Sequence, residues 1–514
     1  MATLHDYRNE RLRKLAELKE RGINPYPSKS YRDTKIDNIL TQYDQQAGRT
    51  VTVAGRIIAI RSFGKLAFIK IRDYSGEIQI FMKADHDLPT PTDPTLLTID
   101  DLKLLDTGDF IETTGLVGKS SSDEISILSN SIRLLTKTLR PLPGRDGFTN
   151  KEERYRRRYV DMNVNPEVRE RLVRRSKFWQ ATRDFMNHHG FIEINIPVLE
   201  HTTGGADAKP FTTHINALDE HLYLRISHEL PLKRLLGGGF EKVYDIGPRF
   251  RNEGIGDEHL PEHIAFEAYA AYENYEDGIK FYEQMIKSVC LATWGTLQFK
   301  INGHDVDLDC TWPQIKYADL LKEKFNVDVF NPDPEQLKKI LRDHQVEVAN
   351  HLSTPRLIDR VWKIIRKTSA GPFWLIEEPL ALSPLAKTSP TNPQVTERFH
   401  PIIGGTEMGN GFSELNDPLD QLQRFKEQQA LRDQGDEEAH MLDQDFVEML
   451  EYGMPPACGW GNSERNFWLF EGVPGREAVP FPLMKKATPK KSKQETNQAI
   501  KKEPGKQTTW LFAL

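Results

Sequence analysis

The stretch that most constrains this chain is Lys242 to Tyr269, KVYDIGPRFRNEGIGDEHLPEHIAFEAY, in which two alternating segments flank a polar connection. Successive side chains of an extended strand point to opposite faces, so Arg249, Arg251 and Glu253 fall together in the first segment. In the second, His263, Glu267 and Tyr269 share one face, and Ile264, Phe266 and Ala268 share the other. The pattern predicts two strands of a sheet that is charged on one side and buried on the other. The connection from Gly254 to Pro261 is too long for a two-residue hairpin turn and carries Asp257, Glu258 and His259, which suits a loop that covers a ligand. The alternation by itself also fits an ordinary solvated face on an antiparallel sheet.

The 514 residues allow two or three domains, and a hydrophobic content of 38% supports proper cores. No run approaches the roughly 18 apolar residues that a membrane span needs. The N-terminus mixes acids with bases and lacks the apolar centre of a signal peptide, so the expected location is the cytoplasm. Cys290, Cys310 and Cys458 are far apart and show no CxxC spacing, which predicts buried thiols and no cysteine-bound zinc. A formal net charge of -6 excludes bulk attraction to polyanions, so any contact with nucleic acid must use local basic surfaces.

Residues 1–48 hold a basic amphipathic helix with Leu4, Leu12, Leu15 and Leu18, ending at Gly22. Arg8, Arg11, Arg13, Lys14 and Lys19 crowd its polar side, as a solvated face or as phosphate contacts. Over 49–137 short alternating strands with glycine and serine turns predict a small closed β-barrel. In its strands Ala67 to Arg72 and Gly76 to Met82, Phe68 and Gln79 point away from the isoleucines. An outward aromatic flanked by bases, with an amide nearby, suits unpaired bases on an OB-fold, although a neighbouring element could equally cover the ring. Prolines, glycines and arginines over 138–164 mark a linker. Asn165-Pro166-Glu167 then caps a helix running to Gly190, with Val168, Leu172, Trp179 and Phe185 or Met186 as its apolar stripe. Phe191 to Pro197 follows as a strand, and lysines from Lys485 onward, closing with Trp510-Leu511-Phe512, predict a disordered tail over 485–514.

Phe250-Arg251-Asn252-Glu253, the polar loop and the second strand resemble motif 2 of the class II aminoacyl-tRNA synthetases. Phe191 to Pro197 resembles motif 1, and Gly459 to Arg465 a motif 3 one residue short. With Gly204 to Phe211, Leu222 to Leu230, RLLTKTLRPLPG, RYVDMNVNPEVRE and GNGFSELND, the resemblance narrows to the lysyl-tRNA synthetases and spans the chain to about Met484. It implies an α+β protein: an anticodon-binding OB barrel, then a catalytic domain over 165–484 with an antiparallel sheet ringed by helices and a helical insertion over about 275–380. It further implies ATP, L-lysine and tRNA(Lys) as partners, Mg2+ with the ATP, a homodimer through the motif 1 proline, and no membrane.

By motif match, Arg251 and Arg465 are the catalytic arginines. Gly205, Glu229, Glu267, Tyr269, Asn410, Phe412 and Glu414 form the lysine site, with Glu229 at the α-ammonium and Glu414 with Tyr269 at the ε-ammonium. ATP falls to Arg251, Glu253, His259, His263, Glu407 and Arg465. Glu407 and Glu414 are the expected metal ligands, and Phe68, Gln79 and Glu124 the anticodon readers. Three departures stand out: His400 replaces a second metal-binding glutamate and is a poorer ligand for a hard cation, Glu258 replaces a loop arginine, and His263 replaces the phenylalanine that stacks on adenine. These departures motivate a second hypothesis, a tRNA-binding or regulatory protein whose nucleotide site has decayed. Retention of Arg251, Glu253, Glu407, Asn410, Glu414 and Arg465 favours the enzyme. A lysine-transferring enzyme acting on protein would have no use for a barrel bearing Phe68 and Gln79.

Overall fold

The computed structural model describes residues 3–83, 93–120, 122–144, 147–206, 208–348, 352–435 and 439–486, and the chain divides into two compact units, Met1–Asn165 and Pro166–Leu514. Most of the expected lysine-rich tail, including Trp510 to Phe512, lies outside the described residues.

In the first unit the 14-residue strand Thr50–Phe63 pairs along one part with Leu66–Arg72 and along another with Phe110–Lys119, which closes five strands of a six-stranded sheet into a barrel. Its interior is set by alternation: Val53, Ile69, Ile71, Ile80, Ile111 and Ile127 are all fully buried. The N-terminal helix Leu4–Glu20 begins on a capping box between Thr3 and Asp6 and buries Leu18. Three of its five bases are engaged by neighbouring groups. Arg11 turns inward and donates to Thr138 Oγ1 at 2.6 Å and Thr107 O at 2.9 Å. Lys14 pairs with Asp106 at 2.8 Å, and Arg13 pairs with Glu10 and Glu17.

The expected linker is partly helical, with Lys151–Arg156 and Arg158–Val164 gathered around the buried Asp161. That carboxylate accepts from Arg154 and Arg158, each at 2.8 Å, and from the Asn165 amide at 2.7 Å. The side chain expected to cap the next helix is therefore committed backward.

The second unit is built on a nine-stranded sheet. Its order runs Gln314–Lys316, Phe373–Ile376, Arg398–Ile403, Asn410–Ser413, Ala457–Ser463, Glu262–Ala271, Lys242–Phe250, Ile192–Glu193, with Thr406–Glu407 paired to Arg398–Ile403. Only the two outermost pairings are parallel. Helices Pro166–His188 and Tyr275–Trp294 cover one face, packing Trp179, Met186, Tyr282 and Met285 against Phe266 and Trp460. The opposite face, which carries Tyr269 and Phe412, packs against Leu232 and Leu236 of helix Glu229–Gly237 and against Phe425 and Phe446.

Three boundaries differ from expectation. The strand of motif 2 stops at Phe250, so Arg251 and Glu253 lie beyond it, and the Arg251 N–H donates to Pro261 O at 2.8 Å to close the neck of the loop. Motif 1 contributes only the two-residue strand Ile192–Glu193, leaving Pro197 exposed. The region 275–380 is not a purely helical insertion: its first helix belongs to the main core, and Gln314–Lys316 and Phe373–Ile376 are strands of the main sheet. Between those strands, helices Tyr317–Phe325, Pro334–Asp343 and Thr354–Lys367 form their own cluster around Leu321, Leu341, Val361 and Trp362. Among the described residues no helix is long and apolar enough to cross a membrane.

Candidate active site

A cleft of about 390 Å3 opens on the sheet face that carries Glu267 and Tyr269. Alternation on Glu262–Ala271 delivers His263, Glu267 and Tyr269 to it, and pairing with Ala457–Ser463 sets Gly461 opposite Glu267 and Gly459 opposite Tyr269. The glycines leave the floor open: a Cβ at Gly461 would lie 2.8 Å from Glu267 Cγ. Arg251, Glu253, His259, His263, Glu407 and Arg465 all line the cleft. So do Gly205, Glu229, Glu267, Tyr269, Asn410 and Phe412.

One end is acidic. Glu267 accepts from Ser227 Oγ at 2.9 and 3.0 Å and from Tyr269 Oη at 3.3 Å. Burial pushes the Glu267 carboxyl up, against the pull of Arg249, and pushes the Tyr269 phenol well up. Asn410 accepts from Arg398 Nε at 3.0 Å, which fixes its amide. Glu414 lies just past the end of strand Asn410–Ser413, and its buried carboxylate pairs with Lys233 Nζ at 2.6 Å.

The other end is cationic. Arg249 Nε donates to His263 Nε2 at 2.8 Å, and His263 Nδ1 meets Leu260 O at 3.1 Å. A donor on Nε2 and a carbonyl acceptor at Nδ1 together define the neutral Nδ1–H tautomer. Burial and the charges of Arg249 and Arg251 push the imidazole down to about 2, and burial with Arg251 nearby pushes Arg249 down to about 9. Arg465 opens helix Arg465–Glu471 and is paired with Glu258 of the loop.

The metal expectation changes. Among the described residues no three His, Cys, Asp or Glu side chains converge as a metal cage. Glu414 is held by Lys233, and His400 faces Glu378 at 3.3 Å. Glu407 alone of the three lines the cleft. Its Oε1 takes both the Trp362 indole at 2.7 Å and Arg366 at 3.2 Å. Burial alone would raise this carboxyl, but His400, Arg366 and Trp362 outweigh it and hold Glu407 at about 2. An always-ionised single carboxylate fits an ion that arrives on a nucleotide with its own waters, not a cage built by protein.

Several side chains of this site were not singled out by motif. Ser227 orients Glu267, Arg398 orients Asn410, and Lys233 joins Glu229 to Glu414. The i, i+4 spacing of Glu229 and Lys233 on one helix was the available signal for the last.

On the barrel, Phe68 is half-buried and stacks on Phe81 with centroids 5.1 Å apart, while the exposed Phe63 meets its edge at 6.5 Å. Gln79 donates to Ser126 Oγ at 3.0 Å, and Glu124 is exposed. The bases near Phe68 are partly compensated, since Lys70 and Arg72 share the one carboxylate of Glu77.

Comparison with known proteins agrees with both units. Residues 150–485 match the family model of tRNA synthetases class II (D, K and N), and residues 51–135 match that of the OB-fold nucleic acid binding domain. A lysine–tRNA ligase of Thermotoga maritima is 42% identical over 501 residues, covering 96% of this chain and 98% of that protein. The lysine–tRNA ligase of Carboxydothermus hydrogenoformans is 43% identical over 483 residues, and that of Listeria innocua 40% identical over 494. With an OB barrel ahead of a mainly antiparallel sheet whose cleft gathers Arg251, Glu267 and Arg465, and with these relatives matched over nearly their whole length, the chain belongs to the lysine–tRNA ligase family of class II aminoacyl-tRNA synthetases.

Proposed function

We propose that the protein activates L-lysine with ATP and transfers the lysyl group to tRNA(Lys). The observation that carries the choice of amino acid is the charge of the acidic end. Glu229, Glu267 and Glu414 are buried there, with Lys233 shared by Glu229 and Glu414 and Arg249 of the cationic end reaching Glu267 at 3.6 Å, a formal excess of one negative charge that the side chain of one lysine would neutralise. Aspartate would add a like charge to this pocket, and asparagine would leave the excess unmatched.

The lysine carboxylate attacks the α-phosphorus of ATP, the bond to the β-phosphate oxygen breaks, and pyrophosphate leaves. A ribose hydroxyl of the tRNA terminus then attacks the carbonyl of the lysyl-adenylate, and AMP leaves. Neither step demands a strong base from the protein, so positioning and charge stabilisation supply the catalysis. Arg251 spans the carboxylate and the α-phosphate, because a planar guanidinium can hold two oxyanions as charge moves between them. Arg465 receives the outer phosphates, with His259 and Glu253 beside the nucleotide. His263, fixed in its plane by Arg249 and Leu260, offers a ring face to adenine. Mg2+ bound with the ATP, near Glu407, would neutralise phosphate charge.

The same reading assigns 49–137 to the anticodon, with Phe68, Gln79 and Glu124 on its reading face, and 165–484 to catalysis. It places the protein in the cytoplasm as a homodimer through the surface around the exposed Ile192, Pro197 and Leu199. The test is exchange of labelled pyrophosphate into ATP with lysine, aspartate and asparagine in turn. Exchange is expected with lysine alone; exchange with another of the three instead would overturn the assignment.

A further inference from the structure

Lys233 is fully buried on helix Glu229–Gly237, and its ammonium is shared: Nζ lies 2.6 Å from Glu414 Oε2 and 3.2 Å from Glu229 Oε1. The rings of Phe412 and Phe446 sit 5.8 and 5.4 Å from the same nitrogen and keep water from competing for it. Neither carboxylate oxygen of Glu414 makes a hydrogen bond of good geometry: Oε2 is held by the ion pair with Lys233 alone, and Oε1 is buried with no partner. This oxygen lies against Gly459 and the Tyr269 ring, so close that a side chain at Gly459 would collide with both, and Gly459 and Tyr269 are walls of the cleft. A buried acceptor left unpaired costs a desolvation penalty that only a donor can offset.

We infer that Lys233 is a positioning residue that sets amino-acid side-chain length: by holding Glu414 and Glu229 on one ammonium, it fixes the separation between the acids that receive the two ammonium groups of the substrate. The inference rests on the lysine-activating reading above. Glu229 is anchored at the first turn of the helix, and Lys233, one turn later, reaches from it to Glu414, which lies just past the end of the Asn410–Ser413 strand. The helix therefore acts as a ruler between two elements that share no other ion pair at this point among those described. Lys233 engages Oε2 and leaves Oε1 turned toward Tyr269, so it directs Glu414 and does not occupy the substrate's place. A structural lysine that merely balanced charge would have no reason to link the α-ammonium acid to the ε-ammonium acid.

The experiment is pyrophosphate exchange by the full-length protein with L-lysine and with L-ornithine, one methylene shorter, at varied ATP. A methylene is worth on the order of 10- to 200-fold in such a pocket, so the wild type should prefer lysine by about that factor. Lys233→Met keeps the aliphatic stem and removes the clamp. It should raise KM for lysine by at least about 20-fold, leave KM for ATP within about threefold, and shrink the lysine-to-ornithine preference by about tenfold. Lys233→Arg keeps the charge with a longer reach, and so tests the ruler where the methionine variant fails to fold. It should restore much of the lysine KM yet still lower the preference over ornithine. An unchanged preference in a folded variant, or equal losses for lysine and ATP, would overturn the inference while leaving the lysine assignment intact. A wild type that exchanges with neither amine would overturn both.

Discussion

Glu258, in the loop between the two motif 2 strands, holds the guanidinium of Arg465, 207 residues further along the chain. A carboxylate thus sits where the outer phosphates of ATP are proposed to go, on an arginine whose side chain is otherwise largely buried. Burial pushes the Arg465 guanidinium down and Glu258 pulls it back up. ATP must displace this partner before it can be gripped. Partly exposed pairs of this kind contribute about 0.2–1 kcal/mol, so Glu258→Ala should lower KM for ATP by a factor of about 1.4 to 5 without changing KM for lysine. A rise in KM for ATP would mean instead that Glu258 orders the loop for binding.

Arg251 emerges just past the strand end at Phe250, and its backbone closes the loop neck on Pro261, so its position is set by main chain even with the side chain removed. Arg251→Ala should therefore fold normally and lose transition-state charge stabilisation. Loss of such a donor typically costs several kcal/mol, which predicts at least about a 100-fold fall in kcat/KM for pyrophosphate exchange. A change of only a few-fold would make Arg251 structural.

His263 yields a pH prediction. Its folded-state value is pushed down to about 2, whereas an unfolded histidine titrates near 6.5. Below about 6.5 the unfolded chain takes a proton that the folded site refuses. The stability due to neutral His263 is thus complete above that pH and is lost progressively as pH falls toward 2, by up to about 1.4 kcal/mol per pH unit. Between pH 7 and pH 5, thermal or urea unfolding of the wild type should lose stability more steeply than that of His263→Phe. Whatever absolute cost follows from depriving Arg249 of its acceptor is set aside, because the comparison is of slopes. Parallel slopes would show that His263 is protonated in the native cleft.

The sequence made the site's strands legible because the two-residue period of Glu262 to Ala271 survives the burial of Ala265 to Ala271: polar residues that serve the cleft interrupt an otherwise apolar run. It could not reveal Arg11 as a buried tie between helix and barrel, since an arginine on a basic helix is spelled the same whether it meets solvent or Thr138. The three-residue strand Gln314–Lys316 carries too short a pattern to be told from a loop, so the residues offered no correction to the helical insertion that the resemblance implied over about 275–380. Glu414 and Glu407 were equivalent as carboxylates seven residues apart. Only long-range contacts separate them, Lys233 for the first and Arg366 with Trp362 for the second. The same holds for Gln79, whose amide looked free and is held by Ser126.

Phe68 gives the final prediction. Its ring is half-buried and stacked on Phe81, with an interplanar angle of 27°, so the two present a paired aromatic surface. Register sets Phe68 opposite the exposed Arg61 on one side and opposite Phe81 on the other. Lys70 and Arg72 share the single carboxylate of Glu77 and Arg61 is exposed beside the ring, so local positive charge adds to the stacking. Stacking on an aromatic is worth about 1–3 kcal/mol per base, so Phe68→Ala should reduce aminoacylation by roughly 10- to 100-fold through KM for tRNA. Pyrophosphate exchange without tRNA should be unchanged, since the described residues that line the lysine and ATP cleft all belong to the second unit. Phe81→Ala should weaken aminoacylation as well, because it removes the ring that holds Phe68 flat. Equal losses in both assays for Phe68→Ala would show that the ring supports the barrel's fold and does not read RNA.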